Sequence, residues 1–91
     1  MINIALIGLG RIGQMHGKNL ILHSDYNLKY VFDVDKELTN KIAKKFNSKA
    51  INYPRLAFKD EEIDVIFIAS STSTHIKLIE EAAKYKKVIF C

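Results

Sequence analysis

Cysteine is almost missing from this chain, and the one present, Cys91, has no second thiol with which to close an internal disulfide. That usage fits a reducing compartment, so the cytoplasm is the expected location. Long apolar runs are missing too. The first hydrophobic stretch starts almost at Met1, with no basic residues ahead of it, and stops at the glycines from Gly8. No secretory signal is therefore expected, and the stretch is too short to span a bilayer, so no membrane partner is expected. Internal repeats and low-complexity linkers are absent. Nucleophilic chemistry has no footing either: Cys91 falls in a segment expected to be a buried strand, and no Ser/His/Asp or Cys/His set can be assembled. No histidine, cysteine or carboxylate stands at metal-ligand spacing from His75, so no metal is expected there and a structural role in the first turn of a helix is favoured.

What is present is the composition of an ordinary globular domain, 48% hydrophobic and 26% charged over 91 residues. That length allows one core of modest stability. The formal net charge of +4 raises the question of a polyanionic partner. The lysines answer it: Lys36, Lys41, Lys44, Lys45 and Lys49 are interleaved with Glu37 and with the apolar Leu38, Ile42 and Phe46, as on the solvated side of an amphipathic helix. Nucleic acid is not an expected partner.

Short apolar, β-branched runs alternate with helical periodicity along the whole chain, the pattern of stacked βαβ units. Strands are predicted at Ile2–Ile7, Leu28–Asp33, Asp64–Ala69 and Lys87–Cys91, with a weaker one at Ala50–Tyr53. Helices are predicted at Ile12–His23, Lys36–Phe46 and His75–Tyr85, with a short turn at Arg55–Lys59. Asp35 is placed to cap the second main helix, whose stripe is Leu38, Ile42 and Phe46. Ser73 or Thr74 is placed to cap the last, whose stripe is Ile76, Ile79 and Ala83. Right-handed crossovers then give an α/β fold, a doubly wound Rossmann-type parallel sheet of five strands in the order 3-2-1-4-5.

Gly8-Leu9-Gly10-Arg11-Ile12-Gly13 is a G-x-G-x-x-G placed directly after the first strand and at the mouth of the first helix. Gly8 is expected to make the tight turn, Gly10 to let a pyrophosphate approach the backbone, and Gly13 to let helix and strand pack closely. The N-terminus of that helix offers N–H groups and a positive dipole end to phosphates. Asp33 follows Gly13 by twenty positions at the end of the second strand, where a carboxylate can accept from ribose hydroxyls. An acidic group repels a 2′-phosphate, and Val34 rather than arginine follows it, so NAD is expected over NADP, with Lys36 near enough to moderate the preference. The small polar run Ala69-Ser70-Ser71-Thr72-Ser73-Thr74-His75 sits at the carboxyl end of a central strand, where open α/β sheets bind ligands. Its hydroxyls either reach a ribose or nicotinamide or merely cap the helix that follows. His16 lies one turn into the first helix, and His23 is close enough to its end to meet the negative dipole.

Taken together, the run from Ile4 to Leu20, Phe32-Asp33-Val34-Asp35 and the segment Ala69 to His75 resemble the glucose-fructose oxidoreductase and inositol dehydrogenase family, its inositol 2-dehydrogenase members in particular. The likeness spans the whole chain with the motifs in the right order. It implies an NAD-binding domain over residues 1–91, with a larger C-terminal substrate domain absent from this chain. The implied reaction is reversible hydride transfer between a sugar or cyclitol hydroxyl carbon and nicotinamide, so a small polyol or sugar is the implied substrate. The resemblance would put Gly8, Gly10, Arg11, Ile12 and Gly13 on the pyrophosphate, Asp33 on the adenosine ribose, and Ser70, Ser71, Thr72 and His75 along the nicotinamide side. In the family a Glu-Lys-Pro motif follows the fifth strand, and an aspartate and a histidine come from the second domain. None of these lies within residues 1–91, so no catalytic residue is assigned and no activity is expected of these residues alone. Two positions depart from the family: Lys86 stands where glycine is usual, which implies strain if a left-handed conformation is needed, and Ser71 stands where many members have proline.

Two other functions share the fold: a nucleotide-sensing module without catalysis, and an S-adenosylmethionine-binding methyltransferase domain. A last strand left open at its edge would also favour edge-to-edge pairing into homo-oligomers.

Overall fold

β-Branched residues open β1, β4 and β5, while Gly10 and Asp35 precede the two long N-terminal helices, giving β1 (Ile2–Ile7), α1 (Arg11–Ile21), β2 (Tyr26–Phe32), α2 (Lys36–Phe46), β3 (Lys49–Ala50), α3 (Arg55–Lys59), β4 (Val65–Ile68), α4 (Thr72–Ala83) and β5 (Val88–Phe90). The computed structural model describes residues 1–70 and 72–91. All strand pairs are parallel, in the order β3-β2-β1-β4-β5. This is the expected doubly wound Rossmann-type sheet.

Alternation along β1 divides the core between the two faces of the sheet. Ile4 and Leu6 join Leu28, Val31, Ile42 and Phe46 on the α1–α2 side. Ala5 and Ile7 join Phe58, Ile63, Ile66 and Ala82 on the α3–α4 side. The two chain reversals that need a left-handed residue without glycine are made by Asn47, at φ 53°, and Lys86, at φ 58°. Asp35 caps α2 as expected, its Oδ1 accepting from Leu38 N at 3.1 Å, and Leu38, Ile42 and Phe46 face the core.

Other elements shift. β2 begins two residues early because Tyr26 and Asn27 find partners in Ile2 and Asn3, and it stops at Phe32, so that Asp33 lies beyond it. β3 is Lys49–Ala50 instead of Ala50–Tyr53, since only those two residues pair with β2. α4 starts at Thr72, so Ser73 and Thr74 lie inside its first turn and not at the position before it. Its buried stripe is Leu78, Ile79 and Ala82, whereas Ile76 is 66% exposed and Ala83 is exposed. Both sets satisfy helical spacing, and contact with the strands chooses between them. The final strand is not buried: β5 pairs only with β4, and Val88 and Phe90 are 63% and 59% exposed. Cys91 lies past its end and is exposed, contrary to its expected place in a buried strand.

A register irregularity between Ile4 and Ala5 leaves Lys29 without a partner on β1, since Leu28 pairs with Ile4 and Tyr30 with Ala5. An extra residue of this kind re-aims its side chain. Here Lys29 Nζ reaches Asp60 Oδ2 at 2.7 Å and Glu62 Oε1 at 3.0 Å, while Tyr30 donates its hydroxyl to the same Asp60 oxygen at 2.6 Å. Lys87 Nζ donates to the backbone carbonyls of Asp60 and Ile63. The cluster ties β2, the α3–β4 loop and the residue before β5 together. The Lys29 ammonium first, and the Tyr30 hydroxyl second, hold the Asp60 carboxyl down to about 2. The same bonds raise Lys29 and Tyr30 above their ordinary values.

Because Asp60 is depressed in the folded state from 3.8 to about 2, its contribution is complete above the higher value and lost as pH falls between the two. Asp60→Asn should lower stability at neutral pH by about 1–2 kcal/mol and flatten the acid limb of a urea-midpoint profile. Lys86→Gly should act in the opposite direction, raising stability by about 0.5–1 kcal/mol by relieving the left-handed conformation, as the same urea titration would record.

Candidate functional site

Parallel strands bring all their carboxyl ends to one edge of the sheet, and a cleft of about 510 Å³ opens there. Gly8 and Gly10 line it after β1, Asp33 and Val34 after β2, and Ala69 and Ser70 after β4. Ile7, Phe32, Pro54 and Leu78 supply apolar wall. One acidic side chain and the backbone of a glycine loop thus face an otherwise largely apolar hollow, a common composition for a small-molecule site.

The three glycines of the loop meet different surroundings. Gly8 has φ +102°, and a Cβ on it would come within 2.6 Å of the Ala69 carbonyl carbon and the Ser70 nitrogen. A Cβ on Gly13 would collide with the carbonyl oxygen of Gly8, so its bareness lets α1 lie against the end of β1. A Cβ on Gly10 would meet nothing within 4 Å, and its φ of −69° is open to any residue. Packing demands the first and the last glycine. The middle one keeps clear a space at the mouth of α1, whose N-cap is this same Gly10 and carries no side-chain capping bond. The first-turn N–H groups of such a helix are available to an anion.

Leu9 fixes the loop. Its side chain is fully buried in the α1–α2 layer, its N–H donates to Asp33 Oδ2 at 2.8 Å, and its carbonyl accepts from Gln14 Nε2 at 2.9 Å. Asp33 Oδ1 accepts from Asp35 N at 2.9 Å. One carboxylate therefore bridges the glycine loop and the β2–α2 turn, and each oxygen keeps lone-pair capacity for a further donor. The backbone of Asp33 is held in turn by Thr39, which is 3% exposed. Leu9, Gln14 and Thr39 escaped the sequence reading. Leu9 gave a weak signal as an apolar residue inside the glycine motif, while Gln14 and Thr39 gave none.

Of the residues expected at a site, Gly8, Gly10, Asp33 and Ser70 meet in the cleft. Gly13 is buried behind it, and Arg11 and Ile12 are exposed on the first turn of α1. Ser71 lies outside the described residues, and of Thr72 only the backbone is described, as the first residue of α4. His75 is half-buried with Nε2 at 3.2 Å from the Ile68 carbonyl oxygen, a bond from the first turn of α4 back to β4. His16 stacks on Phe67, with ring centroids 4.8 Å apart, and His23 lies beyond the end of α1 against Tyr26. Among the described residues no group of three or more His, Cys, Asp or Glu could hold a metal ion, and no helix is long and apolar enough to cross a membrane.

A doubly wound parallel sheet with this glycine loop at its switch point defines a dinucleotide-binding domain. Residues 2–91 match the GFO/IDH/MocA model, described as an oxidoreductase family with an NAD-binding Rossmann fold, and the chain belongs to that family. The chain is 37% identical over 89 residues to a myo-inositol 2-dehydrogenase of Thermotoga maritima, covering 97% of this chain and 27% of that protein. It is 34% identical over 91 residues to a scyllo-inositol 2-dehydrogenase (NAD(+)) of Bacillus subtilis, covering 98% and 27%. A crystal structure of a myo-inositol dehydrogenase from Corynebacterium glutamicum superposes with a TM-score of 0.90 at 34% identity, covering 98% of this chain and 27% of that one. The chain thus spans about a quarter of the length of these relatives.

The packing contrast gives a direct check. Gly13→Ala should lose about 3 kcal/mol of stability through overlap with the Gly8 carbonyl, whereas Gly10→Ala should stay within about 0.5 kcal/mol of the parent in a urea titration. Equal losses for the two would show that the space at Gly10 is closed.

Proposed function

We propose that this chain is the cofactor-holding part of an NAD-dependent dehydrogenase acting on a sugar or cyclitol of the inositol type. The observation that carries the proposal is the open space at Gly10, the N-cap of α1 without a side-chain capping bond, in a cleft that Gly10 lines together with Asp33. A pyrophosphate needs both closeness to backbone and N–H donors, and a backbone without Cβ at residue 10 offers them. In this reading the N–H groups of Gly10, Arg11, Ile12 and Gly13 hold the pyrophosphate, and Gly8 shapes the turn that aims them. The free lone pairs of Asp33 accept from the adenosine ribose, and its charge opposes a 2′-phosphate, which favours NAD over NADP. Ser70, with Ser71, Thr72 and His75, lies on the nicotinamide side, where His75 steadies the start of α4 through Ile68.

Bound nicotinamide would supply the hydride acceptor, and this chain's residues bind, orient and shield the cofactor that carries it. The polyol substrate and the groups that move its hydroxyl proton are assigned to the three quarters of the relatives' length that this chain does not span. Residues 1–91 are accordingly proposed as one dinucleotide-binding domain, with no hydride transfer of their own. The inositol dehydrogenases among the relatives support a cyclitol substrate, and the NAD(+) in the name of one of them supports the cofactor preference.

An amide NMR titration tests the reading. With NAD, the resonances of Gly10 to Gly13 and of Asp33 should shift and saturate, and NADP should need a concentration roughly tenfold higher or more. Asp33→Asn should narrow that gap. Saturation of the same amides by S-adenosylmethionine in preference to NAD would instead favour a methyltransferase domain.

A further inference from the structure

Thr39 is the one buried polar side chain among the described residues, and it has no place in the glycine motif or the cleft wall. Its hydroxyl accepts from Asp33 N at 2.9 Å. Its single proton has two carbonyl acceptors within reach, Asp33 O and Asp35 O, each at 2.9 Å. Thr39 N donates to Asp35 O at 3.0 Å. A single residue in the first turns of α2 therefore holds both backbone polar groups of Asp33 and the carbonyl of Asp35. The peptide groups beyond the last paired residue of β2 would otherwise have no ladder partner, because pairing with β1 ends at Phe32.

We infer that Thr39 is a positioning residue for ribose recognition: by fixing the backbone of Asp33 it sets where the carboxylate stands. The inference rests on the ribose-binding role proposed for Asp33 and extends it to a residue outside the cleft. The carboxylate's own contacts, to Leu9 N and Asp35 N, lie on either side of the turn that Thr39 clamps. Freed at its backbone, Asp33 can still bond to these two groups, but through a range of peptide orientations that no longer aim its remaining lone pairs at one point. Directional hydrogen bonding to a ligand suffers first, because such bonds weaken steeply with angle. Apolar contacts with the cleft wall are less affected.

The test compares the protein with Thr39→Val, which keeps the shape and removes the hydroxyl, and with Thr39→Ser, which keeps the hydroxyl. Each is titrated with NAD and with an NAD analogue lacking the 2′-hydroxyl of the adenosine ribose, and exchange of the Asp33 amide is followed without ligand. The parent should prefer NAD over the analogue by roughly tenfold, the value of a hydrogen bond to a charged acceptor. Thr39→Val should cut that preference to about threefold or less, leave affinity for the analogue within about twofold, and speed exchange of the Asp33 amide. Thr39→Ser should restore the preference. A lost hydroxyl that merely loosened the fold would weaken both ligands together, so a parallel loss overturns the proposal, as does an undiminished preference in Thr39→Val. If Thr39→Val does not fold, Thr39→Ala carries the same comparison. A parent with no preference between the two ligands overturns the ribose role of Asp33 and this inference with it. A parent that discriminates beside a Thr39→Val that discriminates equally overturns this inference alone.

Discussion

The start of α1 lies so close to the ends of β1 and β4 that two positions have no room for a Cβ, and the remainder of the site follows from that approach. Gly8 backs onto Ala69 and Ser70, and Gly13 rests on the Gly8 carbonyl. A Cβ on Gly17, one turn further on, would collide with the Phe46 ring of α2 and come within 3.2 Å of Leu6. With the helix held close to the end of β1 at Gly13 and close to Phe46 and Leu6 at Gly17, its N-terminus lies at the carboxyl edge of the strands. Leu9 then has nowhere to go but the core, where it ties the loop down from below while Asp33 and Gln14 hold its peptide groups from either side. The result is a loop held in one conformation by the fold itself, which would reduce the ordering cost of the cofactor binding proposed for it.

The ionic cluster around Asp60 and the cleft proposed for the cofactor lie at opposite edges of the sheet. The Lys29, Tyr30, Asp60 and Lys87 cluster ties the α3–β4 loop to β2 and to the start of β5. The irregular pairing with β1 falls at Lys29, and both Lys29 and its neighbour Tyr30 reach the same Asp60 oxygen. The cleft edge carries one carboxylate among glycine backbone and apolar side chains. Protonation of Asp60 therefore loosens the edge of the sheet opposite the cleft.

Strand order, the glycine loop and the Asp35 cap were legible in the sequence because each is encoded locally, by β-branched runs, by spacing or by a cap residue next to its helix. Lys86 was legible as a strained position, and it is left-handed. The choice of Leu78, Ile79 and Ala82 over Ile76 and Ala83 was not, since two stripes on one helix have equal periodicity until a strand selects between them. The β2 irregularity at Lys29 was hidden because register belongs to a pair of strands and not to either alone. Thr39 was hidden for a similar reason: a threonine inside a helix looks like a weak helix former until its hydroxyl is seen to complete the end of a neighbouring strand. Gly17 gave the faint signal of a glycine inside a helix, where alanine is better by about 1 kcal/mol unless something crowds the position.

The bare space over Gly10 separates two kinds of selection that usually act together. Folding alone guards Gly8, Gly13 and Gly17, since a side chain at any of them strikes neighbouring atoms. Among the described residues none crowds Gly10. A descendant that gave up its ligand would be free to drift at that one position while the glycines around it stayed fixed by packing. If the pyrophosphate sits where we propose, the outer glycines of a lineage of such domains record ancestry, and the middle one records continued use.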